Sequence, residues 1–154
     1  MTNTELINKF YTSFANENAE GMVKCYHNEI IFHDPAFGTL KGEDAKNMWR
    51  MLIERSKGDI KVTFNNIKAN DKNGSAYWKA HYTFKQTGRP VINKISAQFE
   101  FKDGKIIKHT DTFDLWTWSK QALGFKGYLL GWSSFMQKQI NKQTAALLKA
   151  YTKK

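Results

Sequence analysis

The chain has 154 residues, a length typical of one domain with a sizeable core. Lys and Arg number 24 against 14 Asp and Glu, so the formal net charge is +10. Because the basic residues are spread from Lys9 to Lys154 and match no nucleic-acid-binding motif, the charge does not predict nucleic acid as a partner.

A single cysteine, Cys25, excludes an internal disulfide and is typical of a reducing compartment. The first residues lack a basic region followed by an apolar run, and no apolar run reaches about 18 residues, the length needed to span a bilayer. The sequence therefore predicts a cytoplasmic protein with no stable membrane insertion.

Two helices are predicted at the start of the chain. Thr2 and Glu5 form a capping box, and an apolar stripe then continues to about Ala15. Asn18 begins a second, shorter helix, whose helical propensity is lowered by Gly21. The stripe of the first helix consists of Leu6, Ile7, Phe10, Tyr11 and Phe14.

A short strand and a third helix are predicted next. Residues 29–34 alternate between apolar and polar side chains, and Pro35 ends that strand. Residues 37–40 are predicted to form a turn. After this turn a helix begins near Gly42, has acidic residues in its first turn, and ends at Gly58.

From Asp59 onward the periodicity changes to two, which is typical of strands. Turn sequences separate four alternating segments, and two of them, Asn73-Gly74 and Asp103-Gly104, favour hairpins. The sequence therefore predicts a four-stranded antiparallel meander with strands at residues 60–69, 75–85, 91–101 and 105–118. Three helices followed by a run of strands indicate an α+β fold, with the helices on one face of a curved sheet.

The rest of the chain is predicted to be helical. A short helical segment covers residues 119–123, an apolar segment covers residues 125–132, and Ser134 caps a last helix. One face of that helix is rich in lysine, and two interpretations stay open: a solvated face above a packed stripe, or a helix that lies on a membrane. The stripe consists of Met136, Ile140, Leu147, Leu148 and Tyr151.

The last strand of the meander contains the candidate site. Strict alternation places His109 and Asp111 on one face together with Ile107 and Phe113. In such apolar surroundings, burial and mutual charge would shift the pKa values of both groups, as proton transfer requires. The alternative interpretation is a satisfied polar pair inside the core.

Two segments carry a resemblance to a known family. Residues 26–38, Tyr-His-Asn-Glu-Ile-Ile-Phe-His-Asp-Pro-Ala-Phe-Gly, and residues 101–111, Phe-Lys-Asp-Gly-Lys-Ile-Ile-Lys-His-Thr-Asp, resemble the SnoaL-like branch of the nuclear transport factor 2-like superfamily. That superfamily includes ketosteroid isomerase and polyketide cyclases. The resemblance extends over about residues 4–118 and implies a cone-shaped α+β barrel, with three N-terminal helices on a strongly curved antiparallel meander. Residues 1–118 would form this cone domain and residues 119–154 its C-terminal helical extension.

The resemblance also implies roles for individual residues. Asp34 corresponds to the general base of ketosteroid isomerase, and Asp111 to the acid/base residue of the SnoaL-like aldol cyclases. Phe10 stands where the isomerase has the tyrosine that binds the oxyanion, with Tyr11 beside it, and Ala97 stands where it has a protonated carboxylic acid. A steroid isomerase mechanism is therefore not expected.

The predicted function is the binding of a small, apolar carbonyl compound, with isomerase-, cyclase- or hydratase-like proton transfer and without a cofactor or a metal. The catalytic candidates are Asp34, His109, Asp111 and Tyr11. The ligand-binding candidates are Phe10, Phe32, Phe37, Trp49, His81, Phe99, Phe113 and Trp116, although the sequence leaves open which face of the strand at 75–85 lines the pocket. The alternative function is a non-catalytic ligand-binding or dimeric interaction module.

Two further expectations concern the outside of the cone. Alternating apolar residues on the strand at 91–101 would favour a homodimer if they faced outward; these are Ile95, Ala97, Phe99 and Phe101. Residues 119–135 are expected to pack across or beside the mouth of the cone, with the last helix along the domain and its lysines outward. That packing would bury Phe125, Tyr128, Leu129, Leu130, Trp132 and Phe135.

Overall fold

The computed structural model describes residues 1–130 and 134–153, which contain six strands and six helices. The strands are β1 (Tyr26–Asp34), β2 (Gly38–Lys41), β3 (Lys61–Ala69), β4 (Asn73–Phe84), β5 (Arg89–Lys102) and β6 (Lys105–Thr112). The helices are α1 (Asn3–Ala15), α2 (Ala19–Val23), α3 (Glu43–Ser56), α4 (Leu115–Leu123), α5 (Phe125–Leu130) and α6 (Ser134–Thr152). No helix of this described part is long and apolar enough to cross a membrane.

The strands form one curved sheet in the order β2-β1-β6-β5-β4-β3. β1 and β6 run parallel, and the other four neighbouring pairs are antiparallel. The apolar faces of α1 and α3 and the inner face of the sheet share one core. The α+β cone predicted from the sequence is confirmed, and so is the meander of β3 to β6.

Two turns differ from the prediction. Gly38–Lys41 forms a strand that pairs with the end of β1, because non-local backbone pairing is stronger here than the local turn preference. Asn73 and Gly74 belong to β4 and do not form the hairpin turn. The turn lies just before them, where the Asn70 side chain accepts hydrogen bonds from the backbone N–H groups of Lys72 and Asn73.

The last strand is shorter than predicted. β6 ends at Thr112, and residues 113–118 are not a continuation of the strand. The Asp114 side chain accepts a hydrogen bond from the backbone N–H of Trp116 and caps α4, which begins at Leu115. This N-cap explains why the helix replaces the end of the predicted strand.

A β-bulge in β6 changes which residues face the core. Phe101 pairs with Ile106 and Glu100 pairs with Lys108, so Ile107 is an extra residue without a partner in β5. The prediction that Ile107 lies on the buried face is therefore wrong, because the bulge shifts the alternation by one position. The buried residues of β6 are Ile106, His109 and Asp111.

The two faces of β5 differ in polarity. The inner row is buried and apolar and includes Ile95, Ala97 and Phe99. The outer row is polar, with Gln98 and Glu100 exposed. The apolar row therefore lies inside the cone, and it does not supply the outward apolar face on which the homodimer expectation was based.

The C-terminal helices pack on the cone in an unexpected order. α4 lies against β5, where the Gln121 side chain hydrogen-bonds both the N–H and the carbonyl oxygen of Ile92. α6 packs against α3, with Met136, Ile140 and Leu148 buried and its lysines exposed as expected. α5, between them, has an exposed aromatic face.

The expected burial of the segment at 119–135 is wrong for three residues. Phe125, Tyr128 and Phe135 are 76%, 55% and 62% exposed. The backbone of α5 packs so closely on α4 that a Cβ atom at Gly127 would overlap the carbonyl group of Ser119. This contact occupies the side of α5 that faces the protein. Trp132 and the side chains of Leu129 and Leu130 lie outside the described part of the chain.

Candidate functional site

A cavity of about 300 Å³ lies between α3, the inner face of the sheet and α6. Most of its wall is apolar, with contributions from Met48, Trp49, Trp78, Ile95, Phe113 and Ile140. Three carboxyl groups border the same cavity, those of Asp34, Asp59 and Asp111, and the Asp59 carboxylate accepts a hydrogen bond from the backbone N–H of Thr83. Such a combination of apolar walls and few polar groups is typical of small-molecule sites.

Asp34 is positioned by the end of β1 and the turn that follows it. Its Oδ1 accepts hydrogen bonds from the backbone N–H groups of Ala36 and Phe37, at 3.0 and 2.6 Å. Burial, with a smaller contribution from the charge of Asp111, nevertheless raises the pKa of Asp34 to about 7 against the opposing effect of the two N–H groups. Asp34 is therefore close to half-protonated at neutral pH.

Asp111 belongs to a buried hydrogen-bond network. Its Oδ1 lies 2.8 Å from His109 Nε2 and accepts a second bond from Trp78 Nε1 at 3.3 Å. His109 Nδ1 lies 2.7 Å from the Tyr26 hydroxyl, which also accepts a bond from Trp49 Nε1 at 2.8 Å. The expected His109–Asp111 contact is present, and its neighbours extend it across the core.

One arrangement of protons satisfies every member of this network. Trp49 donates to Tyr26, Tyr26 donates its only proton to His109 Nδ1, and Nε2–H of the neutral imidazole donates to Oδ1 of Asp111. Burial raises the pKa of Tyr26 well above its usual value, so its hydroxyl proton is retained. If Asp111 were protonated and donated to His109, Nδ1–H would point at Tyr26 and the tyrosine proton would lose its acceptor.

His109 itself does not border the cavity. It is fully buried behind Asp111, and the rings of Phe10, Phe32 and Phe99 surround it. These three aromatic residues were predicted to bind ligand, but they enclose the imidazole and are not part of the cavity wall. Their packing excludes water from the network.

The remaining predicted site residues divide into two groups. Phe37, Trp49 and Phe113 border the cavity, as predicted. His81 is exposed on the outer face of β4, and Trp116 is exposed on α4, so neither contacts the cavity. The alternation of β4 and the helix that begins at Leu115 explain these two positions.

Tyr11 is also misplaced relative to the prediction. It is fully buried between Phe64, Trp78 and Phe99, and it does not border the cavity. Its hydroxyl has no hydrogen-bond partner in the described structure. Burial raises the pKa of Tyr11 well above its usual value, and the hydroxyl stays protonated within the core.

Tyr82 is a cavity residue that the sequence did not single out. It lies on the inner face of β4, and its hydroxyl oxygen accepts a hydrogen bond from Trp118 Nε1 at 2.6 Å. Burial raises the pKa of Tyr82, although the bond from Trp118 acts in the opposite direction. Trp78, Ala80 and Tyr82 are spaced two residues apart and therefore lie on the same face of β4. This spacing identifies Tyr82 as a cavity residue once the inner face of the strand is known.

α6 borders the cavity through Ile140, Gln143, Thr144 and Leu147, and no described residue of the segment 119–135 does. Asn141 Nδ2 donates hydrogen bonds to the carbonyl oxygens of Pro35 and Ala36, at 2.9 and 2.6 Å. The hydroxyl of Thr144 lies 2.8 Å from the same Ala36 oxygen. These bonds join the last helix to the turn that positions Asp34. α6 therefore borders the cavity, whereas α4, in the segment expected to pack across or beside the mouth, lies against β5.

Metal binding finds no support among the described residues. No group of three or more His, Cys, Asp or Glu side chains in residues 1–130 and 134–153 is arranged to hold a metal ion. The polar residues at the cavity carry carboxyl, hydroxyl and amide groups, together with the cationic side chains of Arg55 and Lys85, and such groups suit hydrogen bonding and proton transfer to a bound compound.

The curved sheet and the helices packed in its concave face form an α+β cone. The cone contains a cavity of the kind that binds small molecules. A model of the SnoaL-like domain matches residues 7–109, and the chain belongs to this family. The resemblance proposed from the sequence is thus confirmed. The three C-terminal helices lie beyond the matched residues. A comparison with curated proteins gives no match.

Solved structures with similar folds include a putative polyketide cyclase from Pseudomonas putida KT2440, with a TM-score of 0.64 and 20% identity over 79% of this chain and 98% of that one. A hypothetical protein with a ketosteroid isomerase-like fold from Catenulispora acidiphila DSM 44928, in complex with trimethylamine, has a TM-score of 0.62 and 14% identity over 77% and 92%. TerC, co-crystallised with polyporic acid, has a TM-score of 0.61 and 17% identity over 73% and 91%. At these identities the likeness shows the fold.

Proposed function

We propose that the protein binds a small, largely apolar carbonyl compound in the cavity and moves a proton on it without a cofactor. The observation that carries this proposal is that Asp34 and Asp111 border one apolar cavity, where burial raises the pKa of Asp34 to about 7. A carboxyl group with such a pKa can take up and return a proton at neutral pH. The putative polyketide cyclase of similar fold is consistent with this class of chemistry.

In the proposed reaction Asp34 is the general base. It takes a proton from a carbon next to the carbonyl group, the C–H bond breaks, and the electron pair moves to the carbonyl oxygen as an enolate. The hydroxyl of Tyr82 donates a hydrogen bond to that oxygen. Because Trp118 already donates to the Tyr82 oxygen, the tyrosine proton is free to point toward the ligand. Asp34 then returns the proton to carbon.

Asp111 supports this chemistry through its charge. Its Oδ1 accepts hydrogen bonds from His109 and Trp78, and its negative charge helps to keep the pKa of Asp34 high. His109 is then a positioning residue, because it touches Asp111 and not the cavity. Tyr11 has no part in the proposed step, since it lies outside the cavity wall.

The alternative function is a non-catalytic binding module. It is favoured by the completeness of the network that links Trp49, Tyr26, His109 and Asp111, because a sealed and satisfied network also serves structure alone. Binding of an aromatic compound would suit either function. TerC, which has a similar fold, was crystallised with polyporic acid.

Solvent exchange separates the two functions. The protein is incubated in heavy water with 2-tetralone, a small apolar ketone with exchangeable hydrogens next to its carbonyl group, and deuterium uptake is followed by NMR. We expect the protein to accelerate the uptake, and Asp34→Asn to reduce the acceleration at least about 100-fold. Asp71→Asn, on the exposed turn before β4, is the matched control and should retain full activity.

The experiment also distinguishes catalysis from binding alone when the protein does not accelerate deuterium uptake. If 2-tetralone or polyporic acid binds with measurable affinity and the protein does not accelerate deuterium uptake, the binding module is correct and the catalytic proposal is wrong. If Asp34→Asn exchanges as fast as the unchanged protein, Asp34 is not the base.

A further inference from the structure

Four large aromatic side chains of the C-terminal helices are exposed in the described structure. Trp116, Tyr128, Phe135 and Phe125 have exposed fractions of 37%, 55%, 62% and 76%. Single exposed aromatic residues are common on soluble proteins, but several in one short stretch of chain indicate an interaction surface. We call the set Trp116, Lys120, Phe125, Lys126, Tyr128, Phe135 and Lys138 the aromatic surface.

The aromatic surface is ordered by contacts between α4 and α5. Trp116 Nε1 donates a hydrogen bond to the carbonyl oxygen of Tyr128 at 3.2 Å, and the two rings lie 6.1 Å apart. Lys120 Nζ lies 4.0 Å from the centre of the Trp116 ring. On the other side of α5, the lack of a side chain at Gly127 allows the close approach to α4. α5 is thus held with Phe125 and Tyr128 directed away from the protein.

The charge of this region has one sign. Residues 115–154 contain seven lysines and neither Asp nor Glu. Of the formal net charge of +10, +7 therefore belongs to this segment and +3 to the other 114 residues. Lys126 follows Phe125 in the sequence, Lys138 lies one helical turn after Phe135, and both lysines are exposed. Aromatic side chains with an excess of lysine match the interface of an anionic membrane, where rings lie at the headgroups and lysines meet acidic lipids.

We propose that the aromatic surface docks the protein on the headgroup region of an anionic lipid membrane. The attachment is peripheral, because no described helix can cross a bilayer. The lysine-rich helix α6 is not the membrane-facing element by itself, since its apolar stripe is already buried on the cone. The short helix α5, with the sequence Phe-Lys-Gly-Tyr-Leu-Leu, has a composition typical of an interfacial segment.

A second copy of the chain fits this surface less well. Two identical surfaces would bring lysines against lysines, and residues 115–154 contain no carboxylate that could pair with them. Nucleic acid would also attract the lysines, and it is an outcome of the test below.

The test is flotation of the full-length protein with vesicles of phosphatidylcholine alone or of phosphatidylcholine mixed with phosphatidylserine. We expect binding to the mixed vesicles only, and release as salt is added. The triple variant K120Q/K126Q/K138Q should lower the partition coefficient at least about tenfold, because each lysine near an anionic membrane contributes about a fivefold factor. We expect the triple variant F125S/Y128S/F135S to lower it by at least about the same factor.

The matched control removes the same charge elsewhere. The variant K68Q/K72Q/K102Q neutralises three exposed lysines at another end of the sheet. Lys68 is near the end of β3, Lys72 lies in the turn before β4, and Lys102 is the last residue of β5. α4 contacts the opposite end of β5, at Ile92. We expect this control to change the partition coefficient less than about twofold, because charges farther than a Debye length from the membrane are screened.

Three results would overturn the proposal. The first is no binding of the unchanged protein to mixed vesicles at low salt. The second is an equal loss for the control and for the surface variants, which would indicate attraction by net charge alone. The third is binding of a DNA oligonucleotide without vesicle binding. Far-UV circular dichroism checks that each variant is folded. The single variant Phe125→Ser, at a side chain 76% exposed, provides a second measurement if a triple variant unfolds.

Discussion

Tyr26 and His109 are 83 positions apart in the sequence, and the Tyr26 hydroxyl lies 2.7 Å from His109 Nδ1 in the closed interior. The contact joins β1 to β6, the two parallel strands of the sheet. It also determines the tautomer of His109, because an imidazole that accepts at Nδ1 carries its proton on Nε2. The orientation of this proton toward Asp111 therefore depends on a residue in another strand.

The first prediction tests this contact. Tyr26→Phe removes the donor to His109 and the acceptor for Trp49, and it leaves two buried polar groups without partners. We expect the free energy of unfolding at neutral pH to fall by roughly 2–4 kcal/mol, as measured by urea denaturation. The control is Tyr128→Phe at a side chain 55% exposed, which should change it by less than about 0.5 kcal/mol. Equal effects of the two changes would mean that the network is unimportant for stability.

The second prediction concerns Asp34 and pH. An acid whose pKa is raised by folding, here from 3.8 to about 7, keeps its proton in the native state where the unfolded chain has lost it. Its contribution to stability is complete below about pH 4 and is lost as the pH rises to about 7. Asp34→Asn stays neutral and can still accept from Ala36 and Phe37. We therefore expect this variant to match the unchanged protein near pH 4 and to be more stable at pH 8, by on the order of 1–4 kcal/mol.

The measurement is the difference in unfolding free energy between the two proteins across this pH range. Glu20 and Asp114, whose pKa values are lowered by hydrogen bonds from Arg50 and Thr117, change stability in the opposite direction. Both groups are present in both proteins, so their effects cancel in the difference. A difference that does not depend on pH would show that the pKa of Asp34 is not raised.

The third prediction concerns the attachment of α6. Asn141→Ala removes two hydrogen bonds to the turn after β1, and each is expected to contribute roughly 0.5–1.5 kcal/mol. Amide hydrogen exchange in α6 should become faster, while exchange in β4 and β5 should stay unchanged. Lys142→Ala, on the exposed face of the same helix, is the control. Protection of α6 equal to that of the control would contradict the proposed attachment.

The fourth prediction is a homodimer, which we place on the outer face of the sheet. An open groove of about 510 Å³ crosses that face, and the half-exposed ring of Tyr77 lies in it. Light scattering at micromolar concentration is expected to give twice the chain mass of 17.9 kDa. Tyr77→Arg should shift the mass to that of a monomer, because like charges would face each other. Tyr128→Arg, on the aromatic surface, should leave the dimer intact, and a monomeric unchanged protein would refute the prediction.

Local signals in the sequence were sufficient for much of the fold. The capping box at Thr2, the alternation of the meander and the proline after Asp34 all act within a few residues, and the structure agrees with each of them. The burial of His109 and Asp111 was predicted correctly as well. The face assigned to Ile107 was wrong, because a bulge depends on pairing with another strand, which the sequence of one strand does not contain.

The partners of the site residues required the three-dimensional structure. Trp78 and Tyr26 bond Asp111 and His109 from distant strands, and nothing in their local sequence distinguishes them from ordinary core residues. Likewise, the periodicity of α6 predicts a buried stripe but not the surface against which it packs. The sequence therefore could not show that Asn141 and Thr144 of α6 bond to the turn after β1, beside the cavity.

The attachment of α6 also sets an order of events during synthesis of the chain. Asn141 and Thr144 bond to carbonyl oxygens 105 to 108 positions earlier, whereas the sheet is complete once β6 has been made. Because a chain emerges from the ribosome with its N-terminal part first, the cone precedes α6. Asp34 and Asp111 are therefore already part of the chain's sheet segments before the residues of α6 that bond beside them have been made.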